Sequence, residues 1–161
     1  MTTRASERQH VRTLIRRAGV AVLITIDEHG GPIGRPMLPL FLKHDPRIYL
    51  LTHQNSRKVT DIAARSQVAL TMITETSCLV VTGNAAISRE RELIQRLWQR
   101  TYRAWFPDGK DDREATVLRV MVDRVDYWEP PRSRVIRIGQ AVKAVLTRRA
   151  VETPIKTIEG L

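Results

Sequence analysis

The chain has 161 residues, 42% of them hydrophobic, which is enough for one folded domain over 1–161 with a core at about 6–147. Its 27 Lys and Arg against 17 Asp and Glu give a net charge of +10, which favours anionic partners such as phosphorylated ligands, nucleic acid or acidic membranes. No apolar run approaches the roughly 20 residues of a membrane-spanning helix and no secretory signal pattern is present, so we expect a cytoplasmic protein without a membrane partner.

A helix is predicted over 6–18, where apolar residues recur on one face. Ser6 and Gln9 have the spacing of a capping box, which would satisfy free N–H groups at the start of this helix. Gly19 would end the helix, because glycine readily adopts the backbone conformation that follows a helical C-terminus.

A hairpin of two strands is predicted next. The β-branched and aliphatic run 20–26 is too short for a typical helix and predicts a buried strand, and 29–32 has the composition of a turn. The return strand is predicted over about 33–43. Pro36 and Pro39 cannot donate ladder hydrogen bonds, so this strand should lie at an edge or contain a bulge, with backbone groups free to meet a ligand.

A third strand is predicted over 47–52, after a turn rich in polar residues and proline. It leads into a helix over 56–64, with Val59, Ile62 and Ala63 turned inward. This strand and helix bring a group of polar residues to the point where one element ends and the next begins.

The second half of the chain alternates strands with one further helix. Strands are predicted over 68–73 and 78–87, and Gly83 suggests a bulge or a close approach of backbones. Ser88 is the expected cap of the helix. The apolar face of this helix combines Leu93, Ile94, Leu97, Trp98 and Tyr102.

The remaining predicted strands are 117–128 and roughly 134–146, and the last dozen residues carry no readable pattern. The strands come mostly in adjacent, hairpin-like pairs rather than one per helix. The predicted fold class is therefore mainly β, an antiparallel barrel with peripheral helices, in preference to a doubly wound parallel sheet.

The stretch 52–58 is the first candidate site, because a strand end runs directly into a helix that begins with a hydroxyl and two cations. Free N–H groups at the helix start, the Ser56 hydroxyl and the charges of Arg57 and Lys58 could together hold a phosphate. The alternative is that Asn55 or Ser56 is only a helix cap and both cations are solvated. Spacing by itself does not separate the two.

The second candidate site is the edge-strand segment 34–38. Arg35 aimed inward could hold a carbonyl or a negative charge on a ring, and Met37 and Leu38 would supply apolar contacts beside the backbone around Pro36. The alternative is an edge strand protected by proline and charge.

Several weak motifs occur in one order along the chain. They are Gly34-Arg35-Pro36-Met37, Tyr49-Leu50-Leu51-Thr52, Ser56-Arg57-Lys58, Gly83, Ala104-Trp105-Phe106-Pro107 and Tyr127-Trp128. Over roughly residues 5 to 150 this order and spacing resemble the pyridoxamine 5′-phosphate oxidase-like, FMN-binding split-barrel superfamily. Within it the chain is most similar to the general stress protein branch.

The resemblance implies a homodimer with two flavin sites at the interface. It places Arg35 and the backbone from Pro36 to Leu38 against the isoalloxazine ring, Leu51 and Thr52 beside it, and the Ser56, Arg57 and Lys58 group at the phosphate. It also implies a position close to the flavin for Cys78, and it places Trp105 and Phe106 within reach of the partner subunit's cofactor. Read without the resemblance, a lone Cys in a strand or a Trp-Phe pair is more often a packing residue.

The chain departs from the superfamily in one motif. Pyridoxamine phosphate oxidases carry a C-terminal Arg-Leu-His element for substrate, whereas the sequence here is Ser133-Arg134-Val135-Ile136-Arg137-Ile138. This argues against vitamin B6 oxidation. The sequence therefore predicts an FMN-binding flavoprotein, either an oxidoreductase of unknown substrate or a flavin-binding stress protein without turnover. FAD or a deazaflavin is the alternative cofactor, and the sequence assigns no catalytic residue.

Other classes of site find little support. The four histidines are scattered without metal-ligand spacing and Cys78 is the only cysteine, so no metal site is expected. Nucleic-acid binding is suggested only by the charge. Aromatic residues make up 5% of the chain and no nucleic-acid motif is present, so this function ranks last.

Overall fold

The fold is described from a computed structural model, for residues 4–129 and 155–160. Within these residues lie three α-helices, α1 (Arg4–Arg17), α2 (Arg57–Ala64) and α3 (Arg91–Leu97), and two short 3₁₀ helices, Arg100–Ala104 and Gly109–Asp111. The strands are β1 (Ala21–Ile26), β2 (Pro32–Met37), β3 (Pro39–Leu40), β4 (Ile48–His53), β5 (Gln67–Ile73), β6 (Cys78–Ser88), β7 (Ala115–Trp128) and β8 (Lys156–Glu159). The predicted strand 134–146 lies outside the described residues. No helix in the described part is long and apolar enough to cross a membrane.

The described strands form one antiparallel sheet in the order β2-β1-β5-β6-β7-β4-β3, with β8 added beside β7. This confirms the predicted fold class, which rested on strands that follow one another closely in the chain. Antiparallel neighbours can be joined by short turns, whereas parallel neighbours need a long crossover.

The sheet is curled, because its two end strands are consecutive in the chain. β2 ends at Met37 and β3 begins at Pro39, yet they lie at opposite ends of the strand order. Only Leu38 links them, and two peptide units span at most about 7 Å. The two edges of the sheet therefore meet at this residue, as a split barrel requires.

The described residues form two apolar clusters. The larger lies inside the curled sheet and is closed by α1, whose Val11, Leu14 and Ile15 are all buried. The smaller joins β3, β4 and β7 to α3 and the first 3₁₀ helix. Its members are Leu40, Tyr49, Leu51, Leu93, Ile94, Leu97, Tyr102, Phe106, Ala115 and Val117.

Several predicted details of the helices are wrong. α1 already includes Arg4, so Ser6 and Gln9 lie inside the helix and form no capping box at its start. α2 turns Asp61 inward together with Val59 and Ile62, while Ala63 is exposed. An aspartate breaks the apolar pattern, so the sequence pattern assigned that place to the neighbouring alanine.

The third helix is shorter than predicted. Ser88 belongs to β6, and the residue that precedes α3 is Glu90, with no side-chain cap. α3 ends at Leu97, and Tyr102 falls in the following 3₁₀ helix. Apolar residues recur at helical spacing across this break, because α3 and the 3₁₀ helix both pack on the smaller cluster.

The strand predictions that fall within the described residues hold with two corrections. The segment 33–43 is divided into β2 and β3, which pair with different partners, β1 and β4. β8 was missed, because four residues at a sheet edge carry too little pattern to be recognised. The bulge at Gly83 is confirmed by a register shift between Thr82 and Gly83 against β7.

Candidate functional site

A pocket of about 420 Å³ lies where the two edges of the sheet meet, a volume within the roughly 300–1,000 Å³ usual for small-molecule sites. Three segments supply its walls: the β2 to β3 link, the end of β4 with the start of α2, and the segment around the first 3₁₀ helix. The lining residues are Val20, Pro36, Met37, Leu38, Leu51, Thr52, His53, Lys58, Tyr102, Trp105 and Phe106.

One end of the pocket is apolar and aromatic. Leu51, Tyr102 and Phe106 are buried members of the smaller cluster, and Leu38 packs against it. The Tyr102 hydroxyl donates to the Leu38 carbonyl oxygen at 3.4 Å, and burial raises the pKa of this phenol to about 12. Tyr102 therefore stays neutral at physiological pH and fixes the linker between β2 and β3.

His53 connects this aromatic wall to the end of β4. Its Nε2 lies 3.0 Å from the Trp105 carbonyl oxygen, and its ring stacks on Phe106 with a centroid distance of 4.4 Å. A carbonyl oxygen only accepts hydrogen bonds, so Nε2 carries the proton. Trp105 itself is 55% exposed and forms the outer part of the pocket wall.

The other end of the pocket is polar. Lys58 Nζ donates to Thr52 Oγ1 at 2.9 Å, and the Ser56 hydroxyl lies 3.3 Å from the same oxygen. Burial lowers the pKa of the Lys58 ammonium group, and the nearby positive charge of Arg35 lowers it further. Lys58 therefore places a positive charge at the start of α2, where free N–H groups also favour an anion, and Arg35 on β2 adds a second positive charge nearby.

The Arg35 side chain contacts two buried side chains, Thr25 and Asp61, next to this polar end. Its Nη1 donates to Thr25 Oγ1 at 2.7 Å, and its Nη2 lies 3.4 Å from Asp61 Oδ2. Arg35 is not among the residues that line the pocket, although its side chain reaches the neighbourhood of Lys58.

Arg57 differs from Lys58 in its surroundings. Its Nη2 lies 3.4 Å from Asp27 Oδ2, and its side chain is 59% exposed. Asp27 also accepts from the backbone N–H of Gly31, which is the main cause of its lowered pKa. Arg57 therefore points to the turn between β1 and β2, and the structure does not bring it into the pocket lining.

Cys78 lies apart from the pocket lining. It starts β6, is partly exposed, and pairs with Ile73 on one side and Trp128 on the other. Four predicted residues, Arg35, Ser56, Arg57 and Cys78, are therefore not among those that line the pocket. The predicted residues that line the pocket are Pro36, Met37, Leu38, Leu51, Thr52, Lys58, Trp105 and Phe106.

Five residues in or behind this site have no role assigned from the sequence. Val20, His53 and Tyr102 line the pocket, and Thr25 and Asp61 hold Arg35. His53 already lay in the candidate stretch 52–58, and its place at the end of β4 was the signal that it could have a role there. Within residues 4–129 and 155–160, no three His, Cys, Asp or Glu side chains lie close enough to hold a metal ion.

The chain is similar to proteins of one family. The sequence profile of the family described as "Pyridoxamine 5′-phosphate oxidase like" matches residues 6–152. No curated protein sequence matches the chain significantly.

Solved structures share the fold. General stress protein 26 from Bacillus anthracis is 21% identical, covers 75% of this chain and 92% of its own, and has a TM-score of 0.68. A Clostridium acetobutylicum protein related to general stress protein 26 is 22% identical over 76% of this chain and 87% of its own, with a TM-score of 0.65. The general stress FMN/FAD binding protein of Xanthomonas citri is 19% identical over 81% and 93%, with a TM-score of 0.66. These likenesses confirm the predicted split-barrel fold.

Proposed function

We propose that this chain, which belongs to the pyridoxamine 5′-phosphate oxidase-like family, binds a phosphorylated flavin in the pocket at the meeting sheet edges. The cofactor we infer is FMN. The observation that carries the proposal is the Lys58 ammonium group, which lines one end of a mostly apolar pocket and donates to Thr52 Oγ1 there.

The polar end suits a phosphate because its charges are unbalanced. Arg35 and Lys58 carry two positive charges, and Asp61 is the carboxylate that contacts Arg35. Burying unneutralised charge is costly, so a bound anion would relieve the repulsion between the two cations. The Ser56 and Thr52 hydroxyls can donate to phosphate oxygens once Lys58 turns to the anion.

The apolar end suits a flat ring system. Met37, Leu38 and Leu51 offer aliphatic contacts, and Trp105 and Phe106 add aromatic surface. A bound flavin would supply electron transfer, while the protein supplies binding, orientation and exclusion of water. Arg35, which the resemblance places against the ring, contacts residues behind the phosphate end, and we assign it to that end.

Two roles remain for such a site. One is an oxidoreductase acting on an unknown substrate. The other is a flavin-binding protein without turnover, a role favoured by the name of the Xanthomonas citri neighbour, a general stress FMN/FAD binding protein. Mixing the flavin-loaded protein with NADH or NADPH separates them, because rapid bleaching of the flavin favours an enzyme and an unchanged spectrum favours a binding protein.

We further propose that the protein is a homodimer with the pocket at its interface. Val22, Ile73, Cys78 and Trp128 are exposed or partly exposed on strands of the sheet, and exposed Val20 directly precedes β1; we call these five residues the outer patch. Ile73 is 71% exposed, and it pairs with Cys78, which pairs with Trp128, so the three side chains project from the same face. Val20 belongs both to this outer patch and to the pocket lining, so a second copy packed on the patch would also cover the pocket.

The proposal is tested by titrating the purified protein with FMN. The visible absorption spectrum and the mass of any released cofactor should show one flavin per chain. Met37→Arg, which places a long charged side chain in the apolar end, should abolish binding. Ala63→Arg adds the same side chain at an exposed position of α2 and should bind normally. A wild-type protein that ignores FMN, FAD and a deazaflavin contradicts the proposal.

A further inference from the structure

Asp61 is a buried carboxylate on a helix face that otherwise carries apolar residues. Only 5% of its side chain is exposed, and Val59 and Ile62 on the same helix are buried beside it. An apolar side chain could fill this place without the cost of burying a charge. The contacts that Asp61 makes must therefore offset the cost of burying its charge.

The hydrogen bonds around Asp61 form a closed triangle. Arg35 Nη1 donates to Thr25 Oγ1 at 2.7 Å, and the Thr25 hydroxyl donates to Asp61 Oδ2 at 2.7 Å. Arg35 Nη2 donates to the same carboxylate oxygen at 3.4 Å. Thr25 has a single proton and gives it to Asp61, so its oxygen is left to accept from Arg35. Two acceptors on different elements, β1 and α2, thus fix the plane of the guanidinium.

This orientation matters because Arg35 starts from an exposed edge strand. Arg35 lies on β2, which ends one side of the sheet, and a long side chain there would normally sample many rotamers. Its side chain is instead only 17% exposed. Asp61 and Lys58 are one helical turn apart on α2, so a side chain tied to Asp61 lies close to Lys58.

We propose that Asp61 is a positioning residue that holds the Arg35 guanidinium beside Lys58, so that the two cations together select a phosphorylated ligand over its unphosphorylated form. This inference rests on the proposed flavin site and names the residue that sets its preference for phosphate. Asp61 acts through its position and its acceptor oxygens, while its negative charge is a cost that the geometry outweighs.

Two variants separate the effect of the position of the Asp61 carboxylate from the effect of its charge. Asp61→Asn keeps an acceptor oxygen at the same place and removes the charge, whereas Asp61→Glu keeps the charge and displaces the carboxylate by one methylene. We expect the ratio of the riboflavin Kd to the FMN Kd to stay within about threefold of wild type in Asp61→Asn and to fall about tenfold or more in Asp61→Glu. In an Arg35→Ala background, Asp61→Glu should lower the ratio no further, because the role acts through Arg35.

Circular dichroism and the melting temperature first establish that each variant is folded. A wild-type ratio in Asp61→Glu, an equal fall in Asp61→Asn, or a further fall in the Arg35→Ala background overturns the role of Asp61 while leaving the flavin site intact. A wild-type protein that binds FMN and riboflavin equally, or binds neither, contradicts the proposed function and this inference with it.

Discussion

Lys58 Nζ donates a 2.9 Å hydrogen bond to Thr52 Oγ1, which connects the first turn of α2 to the end of β4. This contact keeps the ammonium group at the polar end of the pocket and partly out of water. Burial lowers the pKa of Lys58, because the charged form is less well solvated there than in water. An anion that enters the pocket would supply the interaction that water cannot.

The first prediction concerns the unequal roles of the two cations in α2. Lys58→Met should weaken FMN about tenfold to a hundredfold, since a charge-assisted hydrogen bond contributes about 1.5 to 3 kcal/mol. Arg57→Met should cost no more than about fivefold, because Arg57 is exposed and already paired with Asp27. Fluorescence titration measures both, and riboflavin, which lacks the phosphate, should lose little affinity in either variant. Equal FMN losses in the two variants would contradict this assignment.

The second prediction is a dependence of FMN affinity on pH. The pKa of Lys58 is lowered in the free protein, and a bound phosphate would raise it, so binding takes up a proton where free Lys58 is partly neutral. Affinity should be full below the lowered pKa and fall as the pH rises through it. Titrations between neutral pH and about 10 should show this fall for wild type and a flatter profile for Lys58→Met. A profile unchanged by the substitution would rule Lys58 out as the titrating group.

The third prediction uses the exposed tryptophan of the pocket wall. Trp105 is 55% exposed and lines the pocket, whereas Trp98 packs against the smaller apolar cluster. FMN should quench tryptophan fluorescence in wild type and in Trp98→Phe. Trp105→Phe should lose the larger part of that quenching while binding is followed independently by flavin fluorescence. Undiminished quenching in Trp105→Phe would place the ring away from this wall.

Much of the fold could be predicted because antiparallel hairpins leave local signals. Runs of β-branched residues, turns and the bulge glycine Gly83 all lie within a few residues of the feature they specify. The division of the strand at Leu38 could not be predicted. It depends on the sheet curling until its edges meet, and a β2 residue and a β3 residue look alike in a local pattern.

The site shows the same distinction between local and tertiary information. Thr52, Ser56 and Lys58 lie within one stretch of seven residues, so a strand end next to a helix start was enough to group them. The Thr25, Arg35 and Asp61 contacts join three elements and leave no spacing to recognise. Asp61 in particular carries no sequence signal of its burial, because a carboxylate on an amphipathic helix normally faces water.

The fourth prediction tests the outer patch. Ile73→Lys places a charge in the middle of the outer patch, so the dimer should dissociate and FMN binding should weaken with it. Ala63→Lys adds the same charge at an exposed position of α2 and should leave both unchanged. Sedimentation velocity gives the mass of each variant. A dimer that survives Ile73→Lys would place the interface elsewhere.

The fifth prediction concerns the bulge at Gly83, where β6 and β7 approach each other closely. A Cβ on Gly83 would collide with the carbonyl oxygen of Met121, and backbone of a paired strand cannot move aside as a flexible side chain can. Gly83→Ala should therefore lower the free energy of unfolding by about 3 kcal/mol, near the upper end of the usual cost of overpacking. Gly19→Ala is the matched control, since nothing lies within 4 Å of a Cβ at that position. Chemical denaturation should show a large loss of unfolding free energy for Gly83→Ala and almost none for Gly19→Ala. Equal stabilities of the two variants would show that the strands can separate at the bulge without cost.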